Sequence, residues 1–165
     1  MATFGRNAEG VRIAGPWGPP PPFQPPSAGT REAMARLYEE VDASLAPVAA
    51  ACRACGKCCR FKPGGIVLFA SAAELAYLVA EMAARTSQRR SGDSWRCPYQ
   101  RGKRCAARRV RLLGCRTYFC QAEARAEGER IYAGALREIQ RIAEGQGPWW
   151  YGPARLYLER ALRQV

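Results

Sequence analysis

The chain has 165 residues, a length that suits one domain, and its apolar share of 48 % is ordinary for a globular chain. Its 16 glycines and 12 prolines crowd the loops and the first thirty residues, so the foldable part is smaller than the chain and its core is modest. There is no histidine, which excludes His as metal ligand and as general base, and the formal charge of +12 (26 Lys and Arg against 14 Asp and Glu) calls for anionic neighbours.

Residues 1–28 read as a disordered, Pro-rich arm. The run from Pro16 to Pro26 favours polyproline II and cannot propagate a helix or a central strand. It reads as a solvated spacer or, alternatively, as a ligand for a Pro-binding module. Met1 to Gly18 has no continuous apolar stretch of the kind that marks a signal peptide.

Residues 29–165 form the expected domain. Thr30 to Ala50 reads as the first helix, with Met34, Leu37, Tyr38, Val41, Leu45 and Val48 at helical spacing. Thr30 is its expected N-cap, and Pro47 should kink or end it. Pro63-Gly64-Gly65 is turn chemistry, and Ile66 to Phe69 reads as a short buried strand or extended segment. Ser71-Ala72-Ala73-Glu74 is a capping box that opens a second helix, Ala72 to about Arg85, with Leu75, Leu78, Val79 and Met82 on one face. Thr86 to Arg96 is a polar loop. A third helix is expected from about Gln121 to Glu144, with Ile131, Tyr132, Ala135, Ile139 and Ile142 on one face. Gly145 to Pro148 breaks it. Trp149-Trp150-Tyr151 reads as a lid on the core, and Pro153 suits the first turn of a last helix running to about Arg163. The expected fold is a mainly α, small single domain of about four helices, with little strand and two irregular cysteine-rich loops joined by bound metal.

Those loops carry the chemistry, in the motif region 52–120. Cys52, Cys55, Cys58 and Cys59 fall within eight residues, and Cys97, Cys105, Cys115 and Cys120 form a second block. With no signal peptide and no apolar run long enough to span a bilayer, the expected location is cytoplasmic, without membrane attachment. Thiols there stay reduced, so clustered cysteines bind metal or do redox work more often than they pair. A two-residue gap between cysteines lets a tight turn aim both thiolates at one centre. Two such steps, Cys52 to Cys58, match the first three ligands of a ferredoxin run, and Cys97-Pro98 can supply a distant fourth. Gly56 follows the second ligand, where a close backbone approach or a positive φ is expected. Adjacent Cys58 and Cys59 are expected to serve different centres, or one of them to be a spare thiol. Both an iron–sulfur cluster of the 4Fe–4S type and tetrahedral zinc fit this spacing.

Fifteen Lys or Arg lie between Arg53 and Arg116, against Glu74, Glu81 and Asp93, which read as surface or capping groups. Positive charge lowers thiol pKa values and stabilises an anionic cluster. Arg116, directly after Cys115, is the expected cofactor-binding residue.

The first motif, with Cys97-Pro98-Tyr99, Gly102-x2-Cys105 and Cys115-Arg116-x-Tyr118-x-Cys120, resembles the YkgJ-type family. That family is described as a zinc- or iron-chelating domain and as an iron–sulfur-cluster-containing protein. The resemblance covers Cys52 to Cys120, under half the chain. It departs at Leu112, where the family often has Pro after an Arg matched here by Arg111, and at Arg108, where the family often has Tyr. It implies a metal-binding domain.

The expected function is therefore a protein holding zinc or iron, read first as an iron–sulfur cluster, through two cysteine blocks. A redox or electron-transfer role with a partner protein in a modifying system goes with it. The alternative is a structural zinc module whose basic face binds nucleic acid or another acidic partner. The residues leave open whether the chain is itself an enzyme, since no convincing pair of carboxylates stands at a catalytic spacing.

Overall fold

The computed structural model describes residues 5–6, 12–13, 18–51, 56, 59–60, 67–84, 96–147 and 149–164. Within them the fold is mainly helical, and the strands are short pairs. β1 (Gly5–Arg6) and β2 (Arg12–Ile13) pair antiparallel.

Residues 18–27 lie against the far end of the chain rather than standing off as a spacer. Arg160 Nη1 donates to the Pro20 carbonyl at 2.6 Å, and the Phe23 N–H donates to Gln164 Oε1 at 3.0 Å. Phe23 also packs against the core. Proline-rich backbone lacks donors but keeps its carbonyls, and side chains from the C-terminal region use them. The arm expected over residues 1–28 is thus tied down from Gly18 onward.

α1 (Ala28–Leu45) is capped by Ser27, whose Oγ accepts from the Thr30 N–H at 3.2 Å. Thr30, expected as the cap, sits three residues further in, where its hydroxyl hydrogen-bonds Ser27 Oγ at 2.9 Å. The α-helix stops at Leu45 and tightens into a 3-10 turn, Ala46–Ala51. Pro47 has no N–H to continue the ladder, so the irregular last turn follows from it.

β3 (Phe69–Ser71) begins later than the sequence pattern implied, and Val67 is exposed rather than buried. Pro63-Gly64-Gly65 and Asp93 lie outside the described residues. The Ser71–Glu74 capping box is present, and it opens α2 (Ala72–Ala83). β4 (Gln100–Arg101) and β5 (Arg104–Cys105) form a hairpin. Its two-residue loop takes a positive φ of 57° at Gly102, the conformation such loops ask of glycine. α3 (Leu113–Thr117) is a single short turn of helix, followed by α4 (Ala122–Ala143). β6 (Tyr151–Pro153) pairs antiparallel with β3, Ala70 opposite Gly152, and leads into α5 (Ala154–Ala161). No helix among the described residues is long and apolar enough to cross a membrane.

The apolar stripes meet in one core. Met34, Tyr38 and Val41 of α1, Leu75, Val79 and Met82 of α2, Ile131 and Ile139 of α4, and Tyr157 and Leu158 of α5 are all buried there. Each such aliphatic side chain contributes about 1.5–3 kcal/mol by leaving water. Trp150 is buried against Tyr157 at 6.1 Å between centroids, whereas Trp149 stays 41 % exposed, so only Trp150 acts as the lid.

α3 and α4 pack closely at Gly128. A Cβ there would stand 2.1 Å from the Thr117 carbonyl oxygen and 3.2 Å from Phe119. In an exposed helix interior, Gly→Ala stabilises by roughly 1 kcal/mol. Here the sign should reverse. Gly128→Ala is expected to cost about 2 kcal/mol in urea unfolding, because backbone must move to admit the methyl.

Candidate functional site

The two cysteine blocks are joined by backbone. The Cys97 N–H donates to the Cys59 carbonyl at 2.8 Å, and Arg60 bridges to Arg96 in antiparallel fashion. Gln100 Nε2 donates to the Gly56 carbonyl at 3.2 Å. Gly56 itself has φ 71°, and a Cβ on it would meet Gln100 Nε2 at 2.6 Å and the Lys103 carbonyl oxygen at 3.0 Å. The positive φ and the close approach expected at Gly56 are both there, and each requires glycine.

Local folding brings the later cysteines to the same place. The Gln100 N–H donates to the Cys97 carbonyl at 2.9 Å, which turns the chain into β4. The hairpin register then sets Cys105 opposite Gln100. Cys115 lies in α3, whose first N–H groups have no partner inside so short a helix. Glu74 supplies one: its Oε1 accepts from the Leu113 N–H at 2.9 Å.

The outcome is one cavity of about 300 Å³ lined by Cys59, Cys97, Cys105 and Cys115. Leu68, Leu78, Leu112 and Leu158 make its apolar wall, and Lys103, Arg104, Arg108 and Arg111 stand on its charged side. Low-polarity walls strengthen each charge interaction inside. Tyr99 also lines the cavity, and its buried hydroxyl has no hydrogen-bond partner among the described residues. Burial, and then the neighbouring Cys97, push that phenol well above its ordinary value, so it stays a donor.

Of the other expected ligands, Cys120 is exposed and does not line this cavity. Cys52, Cys55 and Cys58 lie outside the described residues. Among the described residues, no three Cys, Asp or Glu side chains stand close enough to hold a single ion.

Arg116 is buried, and it does not line the cysteine cavity. Its Nη1 pairs with Asp42, its Nε donates to the Arg111 carbonyl at 2.9 Å, and its Nη2 donates to the Arg109 carbonyl. The guanidinium carbon stands 4.1 Å from the centroid of the Tyr38 ring, a cation–π contact. Arg116 thus ties α3 and the turn before it to α1, and through them it positions Cys115. Asp42 and Glu74 do this positioning with it. Asp42 gave no signal in the sequence, being one charge among several on α1. Glu74 was legible as a capping residue, but its burial and its second helix were not.

Arg111 is the uneasy member of the group. Its Nε is buried without a hydrogen-bond partner among the described residues. Burial lowers its pKa from the ordinary guanidinium value, and Arg108 and Arg116 add repulsion. No family model, curated protein or solved structure matches the chain.

Proposed function

We propose that the chain holds an iron–sulfur cluster of the 4Fe–4S type, ligated by cysteines of both blocks. It would serve as a redox or electron-transfer centre for a partner protein in a reducing, cytoplasmic setting. The observation that carries this reading is the single cavity onto which Cys59 of the first block and Cys97, Cys105 and Cys115 of the second all open. A cluster is several ångström across and takes its thiolates at separate corners. It therefore suits cysteines spread around a cavity better than one zinc ion, which needs four sulfurs at about 2.3 Å.

Two further features support the reading. The cationic side of the cavity offsets the negative charge that thiolate-bound clusters carry, and Tyr99 buries a hydroxyl donor that has no acceptor among the described residues. Hydrogen bonds to cluster sulfur of this kind raise reduction potentials. The cysteine spacing and the resemblance to the YkgJ-type family support a metal centre, and both admit zinc as well as a cluster. Cys52, Cys55 and Cys58 would complete this centre or hold a second one.

The test is anaerobic purification followed by iron, sulfide and zinc analysis, visible absorbance and Mössbauer spectra. A brown protein with iron and acid-labile sulfide in equal amounts is the expected result. Colourless protein with stoichiometric zinc would overturn the cluster and favour the structural zinc module. Protein that takes up no metal after anaerobic reconstitution would remove both.

A further inference from the structure

We propose that Arg108, Arg109 and Arg111 form a binding site for a small phosphate-type oxyanion. The site is the cavity between α1, the turns over residues 106–110 and α3. This cavity has a volume of about 500 Å³, and it adjoins the one lined by four cysteines. It suits a small molecule carrying a phosphate group: Leu45 and Phe119 make an apolar wall beside the cations.

The charge census carries the argument. Four arginines, Arg108, Arg109, Arg111 and Arg116, are among the residues that line the cavity, the last with its guanidinium already engaged, and the carboxylate among its lining residues is Asp42. Asp42 is already engaged. One of its oxygens pairs with Arg116, and the other stands 3.9 Å from Arg111. Arg108 and Arg109 are exposed and make no ion pair among the described residues. Arg111 is more confined: its side chain is 18 % exposed, and its buried Nε has no hydrogen-bond partner among the described residues. A donor left in that state beside like charges is what an oxyanion satisfies, since guanidiniums match phosphate oxygens with paired N–H groups.

Charge balance for the cysteines does not account for all of this. Arg108 and Arg111 line both cavities, but Arg109 lines only this one. An anion seated here would also lie next to Cys115, which lines both cavities. The anion site goes beyond the metal reading and does not depend on it.

The experiment is calorimetric titration of inorganic phosphate into the as-purified full chain at low ionic strength. Arg108→Gln/Arg109→Gln and, as control, Arg137→Gln on the exposed side of α4 are titrated alongside, with metal content measured for each. Both replaced arginines are exposed, so the fold should persist. The expected result is saturable binding to one site, weakened about tenfold or more in the double variant and unchanged in the control, compared between preparations of equal metal content because Arg108 also lines the cysteine cavity. Absence of saturable binding overturns the site, as does equal affinity in the double variant or equal loss in the control. Wild-type protein without phosphate binding, together with metal loss from the double variant, would assign these arginines to charge balance instead. Phosphate binding by metal-free protein would uphold the site whatever anaerobic reconstitution shows for the metal reading.

Discussion

Replacing Glu74 with Ala should lower unfolding stability by about 3 kcal/mol and the melting temperature by about 10 °C. The side chain is buried, and its two oxygens serve four donors. Oε2 accepts from the Ser71 N–H at 2.9 Å and from Ser71 Oγ at 3.0 Å. Oε1 accepts from the Leu113 N–H at 2.9 Å and from Tyr38 Oη at 3.3 Å. Alanine would strand all four in the core at roughly 1–3 kcal/mol for each unmet donor, and relief of the carboxyl's own burial cost offsets part of that sum. Nor is the damage confined to α2. Leu113 opens the short helix that carries Cys115 and Arg116, so its loosening reaches the cysteine cavity. Urea unfolding is the measurement, and a loss under about 1 kcal/mol would show that water replaces the carboxylate freely.

The same residue sets a pH signature. Burial raises the Glu74 pKa above its ordinary 4.5, and hydrogen bonds from Ser71, Leu113 and Tyr38 offset that only in part. The folded protein then holds the proton more tightly than the unfolded chain. Stability from this group is full below 4.5 and declines as pH rises through the higher folded value. Glu74→Gln removes the titration while keeping one acceptor. The stability difference between wild type and this variant should therefore shrink as pH increases across that window, then level off.

Why Glu74 was only half legible explains much of the rest. A capping box is local, and the Ser71–Glu74 spacing reveals it without any tertiary information. The bond to Leu113 spans 39 residues and depends on how α3 is held. The long helices α1, α2 and α4 were legible for the same local reason: their apolar stripes repeat over several turns. α3 was not, because one turn of helix has no period and is marginal without outside support. The β3–β6 pair was missed because three-residue strands carry no alternation, and Phe69 and Pro153 are far apart in sequence. The hairpin at Gly102 did have a local cue, a glycine between Arg101 and the Lys103-Arg104 pair, but the surrounding arginines and cysteines drew the reading toward loop.

For the site, the cysteine pattern pointed to residues of which four line one cavity, and Gly56 marked the backbone joint. What spacing cannot give is which side of the fold a thiol faces. Cys115 and Cys120 are five residues apart, yet the first lines the cavity and the second is exposed. Between them α3 ends at Thr117, and the extended backbone at Tyr118 redirects the chain toward α4. Arg116 shows the same limit. Its place after Cys115 suggests a cofactor contact, and spacing does not show that its guanidinium closes on Asp42, a residue that approaches only when α1 packs against α3.

That contrast gives the sharpest expectation for the metal reading: Cys97→Ser should empty the centre, and Cys120→Ser should leave it filled. Serine at position 97 keeps the N–H that donates to the Cys59 carbonyl, so the joint between the blocks survives the exchange. What is lost is a thiolate, which a hydroxyl cannot replace at neutral pH. Metal bound to preformed thiolates carries much of the folding free energy of small domains, on the order of 10 kcal/mol. Cys97→Ser should accordingly lose its iron and visible absorbance and melt well below the wild type. Cys120→Ser should match the wild type in iron, sulfide and melting temperature, because its thiol stands outside the cavity. Full metal content in Cys97→Ser would move the centre elsewhere, to Cys52, Cys55 and Cys58. Loss from Cys120→Ser alone would assign a ligand to a thiol that lies outside the cavity in this fold, and the chain between α3 and α4 would have to rearrange when metal binds.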